Sequence, residues 1–236
     1  MQNIADSGDI EVRIRLLLGQ FPNSLRLNTP YKYWLRMCDN RLWEEIVLCI
    51  LSSNINFETA YSALLQLINR ELIDYNSFTE ITPDRILKEL RRSIYLPKKR
   101  NDEFRVYRYP SLRAKHLYKS GLVIRDRYGG LHILLAEFDE IDELRAEIVR
   151  FLPGIGMKEA SMFLKNIGFS DRLAVLDSHV MRFLFPDFYS HNQKRILSQK
   201  AYLNVERKFL DLSDKIGISP RLLDSLLWHY AREGTY

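Results

Sequence analysis

Phe151 to Leu184 reads FLPGIGMKEASMFLKNIGFSDRLAVLDSHVMRFL, and the fold is decided in this stretch. Its pattern predicts an amphipathic helix that ends at Leu152 and a turn on Pro153-Gly154-Ile155-Gly156. A second helix is expected to start at Met157–Lys158 and to stop at Gly168, glycine being the preferred residue just past a helix end. Two glycines around one apolar residue allow a sharp turn and close approach to another surface. Such a hairpin is expected to present bare N–H groups and a helix N-terminus, which together can seat a phosphate. A plain turn between two helices reads the same way from these residues alone.

Lys158 falls in the first turn of the second helix, where the macrodipole disfavours an ammonium. Asp177 follows 19 positions later, after the apolar run Leu173-Ala174-Val175-Leu176 and before Ser178-His179. A cap on the helix through Val180 to Leu184 is the local use of that carboxylate. A solvated side chain is the local use of the lysine.

L-P-G-I-G-M-K, with L-D-S-H-V following at that interval, resembles the helix-hairpin-helix glycosylase superfamily and its catalytic Lys/Asp pair. The continuation K-E-A-S-M-F-L-K-N-I-G-F is most similar to the prokaryotic 8-oxoguanine DNA glycosylase/AP lyases of the second type. The resemblance is dense over about residues 41 to 184 and returns near the C-terminus. It implies a mostly α fold of two helical subdomains, with the hairpin at the cleft between them. Residues 38–171 would form one subdomain, and 1–37 with 172–236 the other. Lys158 and Asp177 would then face each other across that cleft, which suits a flipped nucleotide.

The implied chemistry is attack of a neutral Lys158 amine on C1′ of a deoxyribose, release of the base and formation of a Schiff base, with Asp177 ionised beside it. β-Elimination of the 3′ phosphate follows. His179 corresponds to a phosphate-contacting position, and local hydrogen bonding is its other reading. Backbone carbonyls of Arg150, Leu152 and Ile155 would hold a monovalent cation, K+ or Na+.

Leu51-Ser52-Ser53-Asn54-Ile55-Asn56 resembles the S-S-N-x-N stretch of the eukaryotic-type enzymes, where the first Asn fills the gap left by the flipped base. Asn54 takes that position here, and a left-handed helix end is its plainer use. Arg105 to Lys115 interleaves aromatics with guanidinium groups. The R-A-K triplet after an apolar residue resembles the family's wedge-and-reader loop, which implies that Leu112 wedges into the base stack and that Arg113 reaches the orphaned base or its phosphate. Leu112 packed on its own helix is the alternative. Asp224-Ser225-Leu226-Leu227-Trp228 resembles the C-terminal pocket helix, making Trp228 a stacking platform and Asp224 a polar partner. Core packing is the other reading of Trp228. The chain closes on Tyr236, where the usual pattern has a basic residue.

Length and composition agree with this class. The 236 residues suffice for one large or two modest domains. No stretch approaches the roughly 18 uncharged apolar residues of a membrane helix, and the start lacks a secretory pattern. Residues 91–127 hold twelve Lys/Arg against Asp102, Glu103 and Asp126, a net of +9 in a chain whose total is +5. A polyanion-binding face concentrates charge this way, and so does a solvated loop. Cys38 and Cys49, the two cysteines, are expected as reduced, buried thiols, and two thiols cannot ligate a four-cysteine iron–sulfur cluster. The five histidines show no paired metal-ligand spacing, which argues against zinc.

The expected partner is double-stranded DNA containing 8-oxoguanine, met by a cytoplasmic, nucleoid-associated monomer with no membrane partner. The same chemistry on another oxidised base, such as an oxidised pyrimidine, stays open. So does a non-enzymatic DNA-binding module that uses the hairpin for phosphate alone.

Overall fold

The computed structural model describes residues 7–20, 30–76, 81–94, 105–185 and 198–232. Expectations on 21–24, on 95–104 within the basic segment, on His191 and on Tyr236 lie outside the described residues.

The chain is mostly α, and it divides into two compact units, Lys32–Ile167 and Met1–Tyr31 with Gly168–Tyr236. The resemblance put these boundaries at 37/38 and 171/172. Two local features accompany the observed ones. Trp34, on a 3-10 turn at Tyr33–Arg36, is buried and its ring lies 6.1 Å from that of His132, which attaches the turn to the Lys32–Ile167 unit. At the other boundary Gly168 has φ +71, the left-handed residue that ends a helix.

The unit Lys32–Ile167 is built on α2 (Asp39–Ser52). Leu42, Trp43, Ile46, Val47, Cys49, Ile50 and Leu51 are all fully buried, so apolar groups surround this helix almost completely. Each such Leu or Ile contributes about 1.5–3 kcal/mol by leaving water. Packed on α2 are α3 (Phe57–Ile68), α5 (Pro110–Val123), α6 (Leu131–Ala136) and α8 (Met157–Asn166). Helix α4 (Pro83–Leu90) opens as its sequence predicts, with Thr82 Oγ1 accepting from the Arg85 N–H and proline in the first turn.

Helix α7 (Ile141–Phe151) runs into α8 through the glycine turn. The two are joined by the buried Arg145, which donates to Ser161 Oγ at 2.9 Å and to Asp142 Oδ1 at 2.5 Å.

The other unit holds α1 (Ser7–Gln20), α9 (Ser178–Leu184), α10 (Gln199–Ile216) and α11 (Pro220–Arg232). Between Gly168 and α9 the run Leu173–Leu176 is buried without helical bonds, so its peptide groups need side-chain partners. α10 supplies them. Ala174 N donates to Glu206 Oε1 at 3.0 Å, Leu176 N to the Tyr202 hydroxyl at 3.3 Å, and that hydroxyl to Ala174 O at 2.6 Å.

The apolar-and-basic pattern of Ile10–Leu18 suits a helix or a strand, and the segment is part of α1. Three local expectations from the sequence need correcting. The sequence shows no convincing hairpin of strands, yet β1 (Ser93–Ile94) pairs antiparallel with β2 (Arg105–Val106); two residues a side leave no periodicity to detect. Ser111 has the side chain of a helix cap, yet α5 begins at Pro110 after a Tyr109 cap, because proline already carries helical φ and needs no N–H there. Cys38 is exposed at the start of α2, while Cys49 is buried as expected. The burial, and then the charges of Glu45 and Glu159, push the Cys49 thiol well above its usual range.

Candidate active site

Lys158 stands in the first turn of α8 with 28% of its side chain exposed, and its Nζ lies 3.2 Å from Glu159 Oε1. The turn before it is a steric necessity. Gly154 has φ +89, and a Cβ there would fall 2.4 Å from His116 Nδ1. His116 is on α5, so only glycine lets the hairpin lie this close to that helix. Ser120, one turn further along α5, donates to the Pro153 carbonyl at 3.2 Å.

Two N–H groups of the turn, expected bare, have partners within the protein. Gly156 N donates to Glu159 Oε2 at 3.2 Å and Ile155 N to Leu152 O at 3.3 Å. The third residue of α8 folds its carboxylate back onto the helix N-terminus, as glutamates at that position do. Burial pushes the Glu159 carboxyl up. The Lys158 charge, and hydrogen bonds from its own N–H, from Lys158 and from Ser53, pull it down by more, so the group lies below its usual range.

Ser53 ends α2 as its cap residue. Asn54, the next residue, is exposed with φ +60. It therefore makes the left-handed helix end, with its side chain outward as a gap-filling residue also requires. Two residues on, Asn56 caps α3 by accepting from Thr59 N at 3.0 Å. From α5, Arg113 Nη2 donates to the Ser53 carbonyl at 2.7 Å, and the Tyr107 hydroxyl donates to Leu51 O at 2.6 Å. Burial pushes the Tyr107 hydroxyl up to about 12, against the pull of Arg113.

Leu112 and Arg113 thus part company. Leu112 is 50% exposed, whereas Arg113 is buried with its guanidinium on protein. The expected reach of Arg113 toward DNA is not the use its side chain has here: it braces the carbonyl preceding Asn54.

Asp177 caps α9, its Oδ1 accepting from His179 N at 2.8 Å and Val180 N at 2.9 Å. Lys158 belongs to the unit Lys32–Ile167 and Asp177 to the other. α11 packs on α9 and carries Asp224, which is buried, and Trp228, which is half-buried with its ring 5.1 Å from that of His229.

A family model described as 8-oxoguanine DNA glycosylase, helix-hairpin-helix type, matches residues 25–218. The chain belongs to that family. A curated relative from Metallosphaera sedula, named 8-oxoguanine DNA glycosylase/AP lyase, is 33% identical over 93% of this chain and 92% of its own. One of the same name from Thermoplasma acidophilum is 33% identical over 82% of this chain and 81% of its own.

Among solved structures, the Methanocaldococcus jannaschii 8-oxoguanine glycosylase/lyase, in complex with a 15mer DNA containing 8-oxoguanine, aligns over 86% of each chain. Its TM-score is 0.65 at 24% identity. The Thermotoga maritima 8-oxoguanine DNA glycosylase aligns over 96% of this chain and 93% of its own, with a TM-score of 0.63 at 24% identity. At those identities the two structures establish the fold.

Within this family member, four residues of the site escaped the sequence reading: Ser53, Tyr107, His116 and Glu159. Only Glu159 left a local signal, a carboxylate at the third position of a helix opened by glycine. The others act on partners tens of positions away.

Among the described residues no helix is long and apolar enough to cross a membrane, and no group of three His, Cys, Asp or Glu could hold a metal ion.

Proposed function

We propose that this chain excises 8-oxoguanine from duplex DNA and then cleaves the strand by β-elimination, with Lys158 as the nucleophile. The observation that carries the reading is the lysine's position: at the first turn of α8, directly after the glycine turn, held through Glu159 yet partly open to solvent. Relatives named glycosylase/AP lyase across most of the chain support it.

In this mechanism the neutral amine of Lys158 forms a bond to C1′ as the bond to the base nitrogen breaks, and opening of the sugar leaves a Schiff base. Asp177, ionised, stabilises positive charge developing on the sugar. The Schiff base acidifies the 2′ proton, whose removal expels the 3′ phosphate and leaves an unsaturated sugar on the enzyme.

Around this chemistry, Gly154, Gly156 and His179 meet DNA phosphates. Asn54 fills the space of the extruded base and Leu112 wedges the stack; their exposure supports both roles. Arg113 serves the Asn54 loop from beneath through Ser53. Trp228 and Asp224 receive the extruded base.

The carbonyls of Arg150 and Leu152 at the end of α7, with that of Ile155, offer hard oxygens suited to K+ or Na+, which would add positive charge beside a phosphate. The enzyme works without an iron–sulfur cluster, as a monomer on the nucleoid of a prokaryotic cytoplasm.

The test uses labelled duplexes carrying 8-oxoguanine, an oxidised pyrimidine or no lesion, each incubated with borohydride. An adduct on 8-oxoguanine alone, absent in Lys158→Gln, is the expected result. Trapping on the pyrimidine lesion instead would reassign the substrate, and duplex binding with no adduct would leave a DNA-binding module.

A further inference from the structure

Glu159 does more than cap a helix. Its side chain is almost wholly buried, and its two oxygens have different partners: Oε2 accepts from Gly156 N at 3.2 Å, and Oε1 lies 3.2 Å from Lys158 Nζ. Consecutive residues of a helix point in different directions, so contact between the heads of residues 158 and 159 is not a default. It arises because Glu159 folds back over the N-terminus of α8 and thereby meets the amine.

We propose that Glu159 is the positioning residue of the nucleophile. This rests on the reading of Lys158 as the attacking amine. Oε1 fixes where Nζ sits while it is an ammonium and holds that charge in place. Burial keeps the Cys49 thiol on α2 neutral, so it adds no charge beside the pair.

The test measures single-turnover base release, borohydride trapping, duplex affinity and thermal melting for wild type, Glu159→Gln, Glu159→Asp and Lys158→Gln. An amide can still cap Gly156 but cannot hold an ammonium, so Glu159→Gln separates the two roles. Its rate of base release should fall about tenfold or more from a misplaced amine. Duplex affinity and melting should stay near wild type, because the cap remains. Glu159→Asp, which keeps the charge on a shorter side chain, should recover part of the rate, and it keeps the test open should Glu159→Gln fold poorly.

A Glu159→Gln rate equal to wild type, or a rate loss matched by lost melting temperature, would make Glu159 a cap alone and overturn the proposal. Trapping that persists in Lys158→Gln would instead remove the nucleophile assignment, a failure distinguishable from the others.

Discussion

Arg113 on α5 and Ser53 at the end of α2, sixty positions apart, are joined by a 2.7 Å bond from the guanidinium to the carbonyl. That bond orders the residue preceding Asn54, and it engages the side chain for which the family resemblance implied a DNA contact. Arg113→Ala should therefore lower stability by about 2 kcal/mol, the cost of losing a charged donor to a part-buried carbonyl. Arg113→Lys should recover little of it, because an ammonium lacks the planar fork. Leu112→Ala, one residue away, should leave stability within about 0.5 kcal/mol while slowing excision, since its side chain is half exposed. Thermal unfolding beside single-turnover excision separates the pair.

Gly154 and Gly156 should differ in the same way. Gly154→Ala meets a left-handed backbone at φ +89 and the His116 ring at 2.4 Å, and should cost about 2 kcal/mol or more. Gly156→Ala meets only Glu159 Oε2 at 3.2 Å, the end of a side chain, and should cost less. Adding His116→Ala to Gly154→Ala should recover the steric part and leave the backbone part. Urea midpoints of the four proteins give both terms.

Asp177 has a structural use as well as the proposed chemical one, and substitutions can separate them. Asp177→Asn keeps an oxygen for the His179 and Val180 N–H groups and should melt close to wild type, yet lose a factor of about 10² or more in excision. Asp177→Ala should lose the same activity and about 1 kcal/mol of stability besides. Equal melting of Asn and Ala variants would dismiss the cap.

His116 should make stability depend on pH. Burial, then the charges of Arg113 and Lys119, push its imidazole below the ordinary 6.5. Arg113 can only donate, so the 3.3 Å contact with His116 Nδ1 needs that nitrogen to be an acceptor, which protonation abolishes. The folded form thus binds a proton less readily than the unfolded one. Stability is complete above pH 6.5 and falls as pH drops from there through the folded value. Denaturation midpoints of wild type should decline over that window more than those of His116→Gln.

Much of the site was legible because it is local. The glycine turn, the left-handed Gly168, the Thr82 cap and the Asp177 cap each depend on residues within a few positions, and each forms where the pattern put it. Leu112 and Arg113 show where that legibility stops. A helix turns neighbouring side chains to different faces, but which face meets protein depends on what packs against α5, and α2 lies far away in sequence.

The amino-acid order by itself determined the helical class, the hairpin with Lys158 at its mouth and the capped Asp177, because backbone sterics and capping act over one turn of chain. Tertiary structure alone decided that Arg113 braces Ser53 and that His116 requires Gly154 to be glycine. Those are contacts between segments tens of positions apart, and only the packing of α2, α5 and the hairpin brings them together.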